Sequence, residues 1–261
     1  MIEIALCLAI IGFALVSILL VLPSGMNTQR ETREETIISQ DASMLLEAIR
    51  NGSRGLDDLT NNVYAITNYI TLYDAQGLFL RNTYAGYTYT TAVYDGAIHD
   101  EWAITNGLRI IGLLSTPEFL AGNQPLYSTF GNAYTSNHII AYIHSFSGLA
   151  AEKPPQNNQI MQEDAFSYRL LCVNAPMAMD TNNLFKPSPN FSAFDNQLAG
   201  SLRELRLLFM WPQLPNGNVG PFRQSFRVSI AGQLIETNYA DYFPNIQPLY
   251  FYESQSFTNT P

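Results

Sequence analysis

Residues 1–22 read MIEIALCLAIIGFALVSILLVL, and between Ile4 and Leu22 no side chain carries a charge. Ser17 is the one clearly polar residue in that run. At a rise of about 1.5 Å per residue, a helix of this length spans about 30 Å, the thickness of a bilayer's hydrocarbon core. The segment therefore reads as a membrane-spanning helix. Glu3 stands at its mouth, and an ionised group at membrane depth costs on the order of 2.5 kcal/mol or more unless a partner neutralises it. A secretory signal peptide would place positive charge before a shorter apolar core and a small-residue cleavage site after it. Here the early charge is negative and the core is followed by Pro23-Ser24-Gly25. A plain anchor accounts for the length but gives the acid no purpose.

Ile2-Glu3-Ile4, followed by Ala9-Ile10-Ile11-Gly12, resembles the N-terminal signature of type IV pilins and pseudopilins. In that family a hydrophobic residue and a glutamate open a helix, and an Ala-Ile-Ile-Gly step lies at a fixed offset from the acid. The resemblance implies that Glu3 pairs with the free N-terminal amine of a neighbouring subunit, so that two buried charges neutralise each other and fix the register of assembly. Gly12 would let helices approach closely, and Ile4, Leu8, Ile11, Leu15 and Ile18 would pack the helical core of a filament. The same resemblance implies processing by a prepilin peptidase, methylation of the mature N-terminus and extraction from the membrane by a separate ATPase. The chain starts shortly after the point where family precursors are cut, and the expectation is that it is truncated at its front. The family's mid-helix proline falls slightly later here, at Pro23. Proline removes a backbone hydrogen bond, and Gly25 lowers helix propensity by about 1 kcal/mol, so a kink or a melted turn is expected there.

From residue 26 to residue 50 the pattern turns amphipathic. Asn27 or Thr28 is a candidate cap for a second helical segment, Arg30 and Glu34 form an i,i+4 pair, and Ile37, Ile38, Leu45, Leu46 and Ile49 gather on one stripe. Asn51-Gly52-Ser53-Arg54-Gly55 supplies stop signals. The domain reading is a helix over residues 1–52, apolar over 1–22 and amphipathic over 26–50, followed by a β-rich head over 53–261.

In the head the period changes to two. Residues 63–72 and 78–81 read as strands, 84–91 as a tyrosine and threonine ribbon, and Ile139, Ala141 and Ile143 alternate with His138, Ile140, Tyr142 and His144. Phe166, Tyr168, Leu170 and Cys172 share a face, as do Leu205, Leu207, Phe209 and Trp211. Phe222, Gln224, Phe226, Val228 and Ile230 alternate with Arg223, Ser225, Arg227 and Ser229. These are half-buried antiparallel strands. Residues 108–114 form an apolar run, 212–221 a wide hairpin loop around Asn216-Gly217, 175–194 a surface excursion, and the tail from Tyr239 an aromatic segment that packs on the head or on a neighbour. The fold class is α+β: a long N-terminal helix packed on an antiparallel sheet, as in pilins.

Thirteen basic against 22 acidic residues, a formal net charge of −9, argue against a nucleic-acid partner, which would need clustered Lys and Arg. Charged residues make up 13%, roughly half the usual share, which suits an uncharged polar surface on an exposed appendage. Cys7 and Cys172 imply no disulfide framework. His138 and His144 share a strand face about 20 Å apart along the backbone, too far for one metal ion. Asp57-Asp58 and Glu163-Asp164 are acidic pairs of the kind that hold calcium with loop carbonyls, and more often are solvated loop charges. Asn51-Gly52-Ser53 and Asn190-Phe191-Ser192 match the glycosylation sequon. No nucleophile elbow, phosphate loop or zinc-protease motif is present. The expected function is structural rather than enzymatic: a homopolymer held in the bacterial inner membrane as a precursor, then a filament on the cell surface. The alternatives are a pseudopilin of a type II secretion system and a membrane-tethered glycan-binding module built on the tyrosines of residues 84–94.

Overall fold

The structure is a computed structural model that describes residues 2–53, 55–74, 78–83, 87–90, 103–119, 126–128, 133–147, 166–177, 201–214, 216–237 and 248–253. The chain divides into two compact units, Met1–Gln40 and Asp41–Pro261. The second unit takes in the final turns of the long helix.

Helix α1, Ile2–Arg50, is a single unbroken element. The melted turn expected at Pro23-Ser24-Gly25 is not there, and neither is a fresh N-cap at Asn27 or Thr28. Breaking the helix would create two new ends, each with four unsatisfied backbone groups, which outweighs one lost bond at the proline and about 1 kcal/mol at the glycine. Thr28 spends its carbonyl inside the helix, accepting from the Thr32 hydroxyl at 2.9 Å. Within the first unit Arg30 Nε donates to Glu34 Oε1 at 2.8 Å, the i,i+4 pair read from the sequence.

In the second unit the end of α1 buries Ala42, Leu45, Ala48 and Ile49, spaced for one helix face. The helix closes on a Schellman motif: Ser53 N–H donates to Ala48 O at 2.9 Å and Gly52 N–H to Ile49 O at 3.0 Å. Gly52 sits at φ 57°, and a Cβ there would stand 2.3 Å from the Tyr252 carbonyl oxygen. Only glycine fits both demands.

Among the described residues, eight strands form one antiparallel sheet. Its backbone order is β2 (Phe79–Thr83), β1 (Val63–Tyr73), β5 (Ala133–His144), β6 (Ser167–Pro176), β7 (Leu202–Gln213) and β8 (Val219–Ala231). Strand β3 (Thr88–Thr90) adds to β1 and β4 (Leu126–Ser128) to β5. A second sheet pairs β9 (Gln233–Thr237) with β10 (Leu249–Glu253). The alternation of the sequence is realised: Tyr168, Leu170, Cys172, Leu205, Leu207, Phe209, Trp211, Ile139, Ala141 and Ile143 are all buried.

The apolar run at 108–114 lies in a helix, α2 (Gly107–Leu114), which buries Ile110, Ile111, Leu113 and Leu114. Asn106 caps it, its side chain accepting from Arg109 N–H at 2.8 Å. Within the aromatic tail, Leu249–Glu253 form strand β10, whose Leu249 and Phe251 side chains lie beside Gly112 of α2. These residues of the tail pack on their own head, while 239–247 and 254–261 lie outside the described residues. The hairpin between β7 and β8 is tighter than expected, because Pro212 and Pro221 belong to the strands; Gly217, at φ 79°, turns the chain. Ala175 and Pro176 end β6, while residues 178–194 of the expected excursion lie outside the described residues.

Beyond the Ile139↔Cys172 pair β5 and β6 part, and the chain after α2 fills the fork. Glu118 N–H donates to Asn174 O at 2.9 Å and Asn137 N–H to Glu118 O at 2.8 Å. Buried amides complete the fork: Asn174 Nδ2 donates to Ser115 O at 2.6 Å, and Tyr252 Oη donates to Asn174 Oδ1 at 2.6 Å. At the start of α2, a Cβ on Gly107 would lie 1.9 Å from the Leu56 carbonyl oxygen. Gly107→Ala is expected to destabilise the head by about 1–3 kcal/mol, read by denaturant unfolding of the detergent-solubilised protein, because backbone must move to admit the methyl.

Candidate functional site

The first unit presents a helix whose apolar side chains over residues 2–22 are exposed among the described residues. Fourteen large apolar residues between Ile2 and Leu22 are exposed. Ile4, Leu8, Ile11, Leu15 and Ile18 form one stripe at i, i+4, i+7, i+11 and i+14, each more than half exposed. Burying a residue of this kind is worth about 1.5–3 kcal/mol, so leaving the segment in water would forgo on the order of 20 kcal/mol or more. Such a surface requires lipid or other helices. By length and composition α1 is able to cross a membrane.

Three further features lie on this segment. Glu3 occupies the first turn of α1, where the positive end of the helix dipole favours an acid. Nothing lies within 4 Å of where a Cβ of Gly12 would be, so the backbone is open to a neighbouring helix. Ser17 donates its hydroxyl to Phe13 O at 2.8 Å, so the run's polar side chain is satisfied within its own helix. Pro23 continues the helix. Cys7 is a free, exposed thiol on α1, whereas Cys172 is buried and donates to Leu114 O at 3.1 Å.

In the second unit, Asp41 is fully buried near the end of α1 and its Oδ2 accepts from Phe146 N–H at 3.1 Å and from Tyr168 Oη at 3.0 Å. Burial pushes its carboxyl above the ordinary range, and these hydrogen bonds pull it part of the way back. In the fork, Glu118 Oε1 lies 4.0 Å from His138 Nε2, and burial raises the Glu118 carboxyl while Arg206 and Arg203 oppose the rise. Neither place brings together a nucleophile, a base and an orienting group. Asp41 and the fork hold elements in place.

His138 and His144 lie on one face of β5, as the spacing implied. His144 Nδ1 is 2.7 Å from Ser167 Oγ, and its ring lies 4.8 Å from that of Tyr64. Among the described residues no three His, Cys, Asp or Glu side chains converge as metal ligands. Asp57 Oδ1 accepts from Gly107 N–H at 3.0 Å and so helps start α2; Glu163-Asp164 lies outside the described residues. Of the tyrosine ribbon, Tyr87 and Tyr89 are buried with rings 5.2 Å apart in edge-to-face contact, so they offer no platform to a glycan. Residues 84–86 and 91–102, which include Tyr84, Tyr94 and His99, lie outside the described residues, as does the sequon at Asn190. Asn51 is exposed and its Nδ2 donates to Glu47 Oε2 at 3.2 Å.

The two histidines set a pH dependence. Burial lowers both imidazoles below the ordinary 6.5. The unfolded chain then takes up protons before the folded one, and stability falls as pH drops below 6.5 towards the folded values. Asp41 and Glu118, with raised folded values, act the other way and add stability as pH falls towards their unfolded 3.8 and 4.5. Replacing His138 and His144 by Gln is expected to remove the acid-side loss, so that melting temperature between pH 7 and pH 5 holds steady or rises; an unchanged profile would refute the assignment.

No protein-family model, no curated protein and no solved structure matches this chain.

Proposed function

We propose that the chain is a type IV pilin-like structural subunit, held in a membrane by residues 4–22 and polymerising through α1 into a helical filament. The observation that carries this reading is the pairing of one acid, Glu3, with an otherwise uncharged helix that is exposed along its whole apolar length and opened at Gly12. In a bundle of such helices the apolar stripe exchanges lipid contacts for helix contacts, and the acid meets an amine in a medium where an unpaired charge is expensive. The sheet-bearing unit, with its polar outer surface, remains in water. Leaving the membrane costs the apolar segment its lipid contacts, so assembly needs an external source of energy and a machine to deliver it.

Material sheared from cells that make this protein tests the reading. Fibres that contain the chain and reconstruct with α1 helices packed at their centre support it. Short periplasmic polymers instead of surface fibres indicate the pseudopilin role. A protein that stays monomeric in the membrane under all conditions indicates a tethered ectodomain. Mass spectrometry of the assembled material adds an independent check, because a methylated terminus ahead of Ile2 marks prepilin processing.

A further inference from the structure

The face of the sheet opposite the buried row carries a charge that the chain as a whole does not have. The β7–β8 register sets Arg206 directly opposite Arg227 and Met210 opposite Arg223. All three arginines point to the same face, because 206 and 210 are four apart on β7 and 223 and 227 are four apart on β8. Arg206, Arg223 and Arg227 are exposed. Like charges directly opposite each other across strands are destabilising. Glu204 relieves part of this, accepting from Arg206 Nε at 2.6 Å. Among the described residues Arg223 and Arg227 have no ion pair. With Arg169 opposite Met210 on β6 and Glu118 acting on Arg206, four guanidiniums less two carboxylates leave two positive charges here, in a chain whose formal net charge is −9.

A matching excess of the opposite sign lies on α1. Glu31 and Glu35 are exposed, stand at i,i+4 and so face the same way about 6 Å apart, a like-charge pair that is itself mildly destabilising. Arg30 is taken by Glu34, and among the described residues neither Glu31 nor Glu35 has an ion pair. Arg206 and Arg227, directly opposed across the strands, stand about 5 Å apart, close to the glutamate spacing, and Arg223 follows about 13 Å along β8 from Arg227.

We infer that this arginine face docks on the Glu31–Glu35 edge of α1 in a second copy of the chain, as a lateral contact that orders the heads of the polymer. The inference rests on the filament reading and adds which surfaces meet. Each patch is repulsive by itself and the two neutralise each other, two charges against two, with arginine side chains long enough to absorb differences in spacing. A uniformly acidic partner surface of another protein would satisfy the arginines alone; only a second copy satisfies both patches.

Two variants test it in full-length protein: Arg223→Glu with Arg227→Glu, and Glu31→Arg with Glu35→Arg. Each made alone puts like charges in contact and is expected to lower filament yield about tenfold or more, with circular dichroism and membrane insertion unchanged. Made together in one cell they complement each other at both contacts of an alternating polymer, so yield returns towards native. Should a reversed strand fail to fold, Arg227→Gln and Glu35→Gln replace the reversals with a smaller expected loss. Native yield from the single variants, or no recovery in the mixture, overturns the contact while leaving the filament reading intact. Absence of polymer from the native chain overturns both.

Discussion

Glu3→Ala is expected to leave the protein inserted in the membrane at native levels and to reduce its recovery in polymer below detection. Removing the acid makes the apolar segment easier to insert, since an ionised carboxylate near the hydrocarbon boundary costs on the order of 2.5 kcal/mol. The same change deletes the group that would pair with a neighbour's amine, leaving that amine buried and unpaired in each growing polymer, a penalty of about 3–5 kcal/mol per contact. In a polymer this recurs at every subunit, so even the lower figure suppresses elongation. Membrane fractionation beside sheared-filament yield separates the two effects. Glu3→Gln, which keeps shape and loses charge, is expected to behave like the alanine variant. Normal fibres from either would remove Glu3 from assembly.

Phe209→Ala is expected to cost the sheet-bearing unit about 3–5 kcal/mol and to lower its melting temperature by on the order of 10 °C. Phe209 is fully buried on β7, its ring 5.3 Å from Tyr168 on β6 and 5.6 Å from Phe226 on β8. It thus joins three adjacent strands through aromatic contacts that add about 0.5–1.5 kcal/mol per pair to the loss of buried area. The hole also lies beside Tyr168, whose hydroxyl donates to Asp41, so the end of α1 is loosened with the sheet. Phe226→Ala, at a half-buried position on β8, is expected to cost less. Thermal unfolding followed by near-ultraviolet circular dichroism in detergent distinguishes them, and equal losses would place the weight of the core elsewhere.

What the sequence made legible follows from the range of each signal. The alternation of Leu205, Leu207, Phe209 and Trp211 with Arg206, Leu208 and Met210 identifies β7 and its two faces, because a strand's burial pattern is written in its own residues. The apolar run at 108–114 was ambiguous, since a short run reads alike in a strand and in a buried helix. Asn106 was the available sign of α2: a capping residue just before the run. The break expected at Pro23 weighed local penalties without the larger cost of opening two helix ends. The candidate assembly residues, Glu3, Gly12 and the Ile4-to-Ile18 stripe, all fall on one continuous helix, and so their spacing was readable directly.

The sequence by itself determined a membrane-length apolar helix with an acid at its mouth and a set of strands that each bury one side. Those properties depend on neighbours within a few residues, where helical and extended periods decide which side chains share a face. The tertiary structure alone decided which strands lie side by side, how β5 and β6 fork around Glu118, and which groups answer the buried Asp41. Phe146 and Tyr168, which donate to it, lie 105 and 127 residues further along the chain. A carboxylate's need for donors is fixed by its chemistry, but the identity of those donors is fixed only when packing brings distant strands beneath the helix.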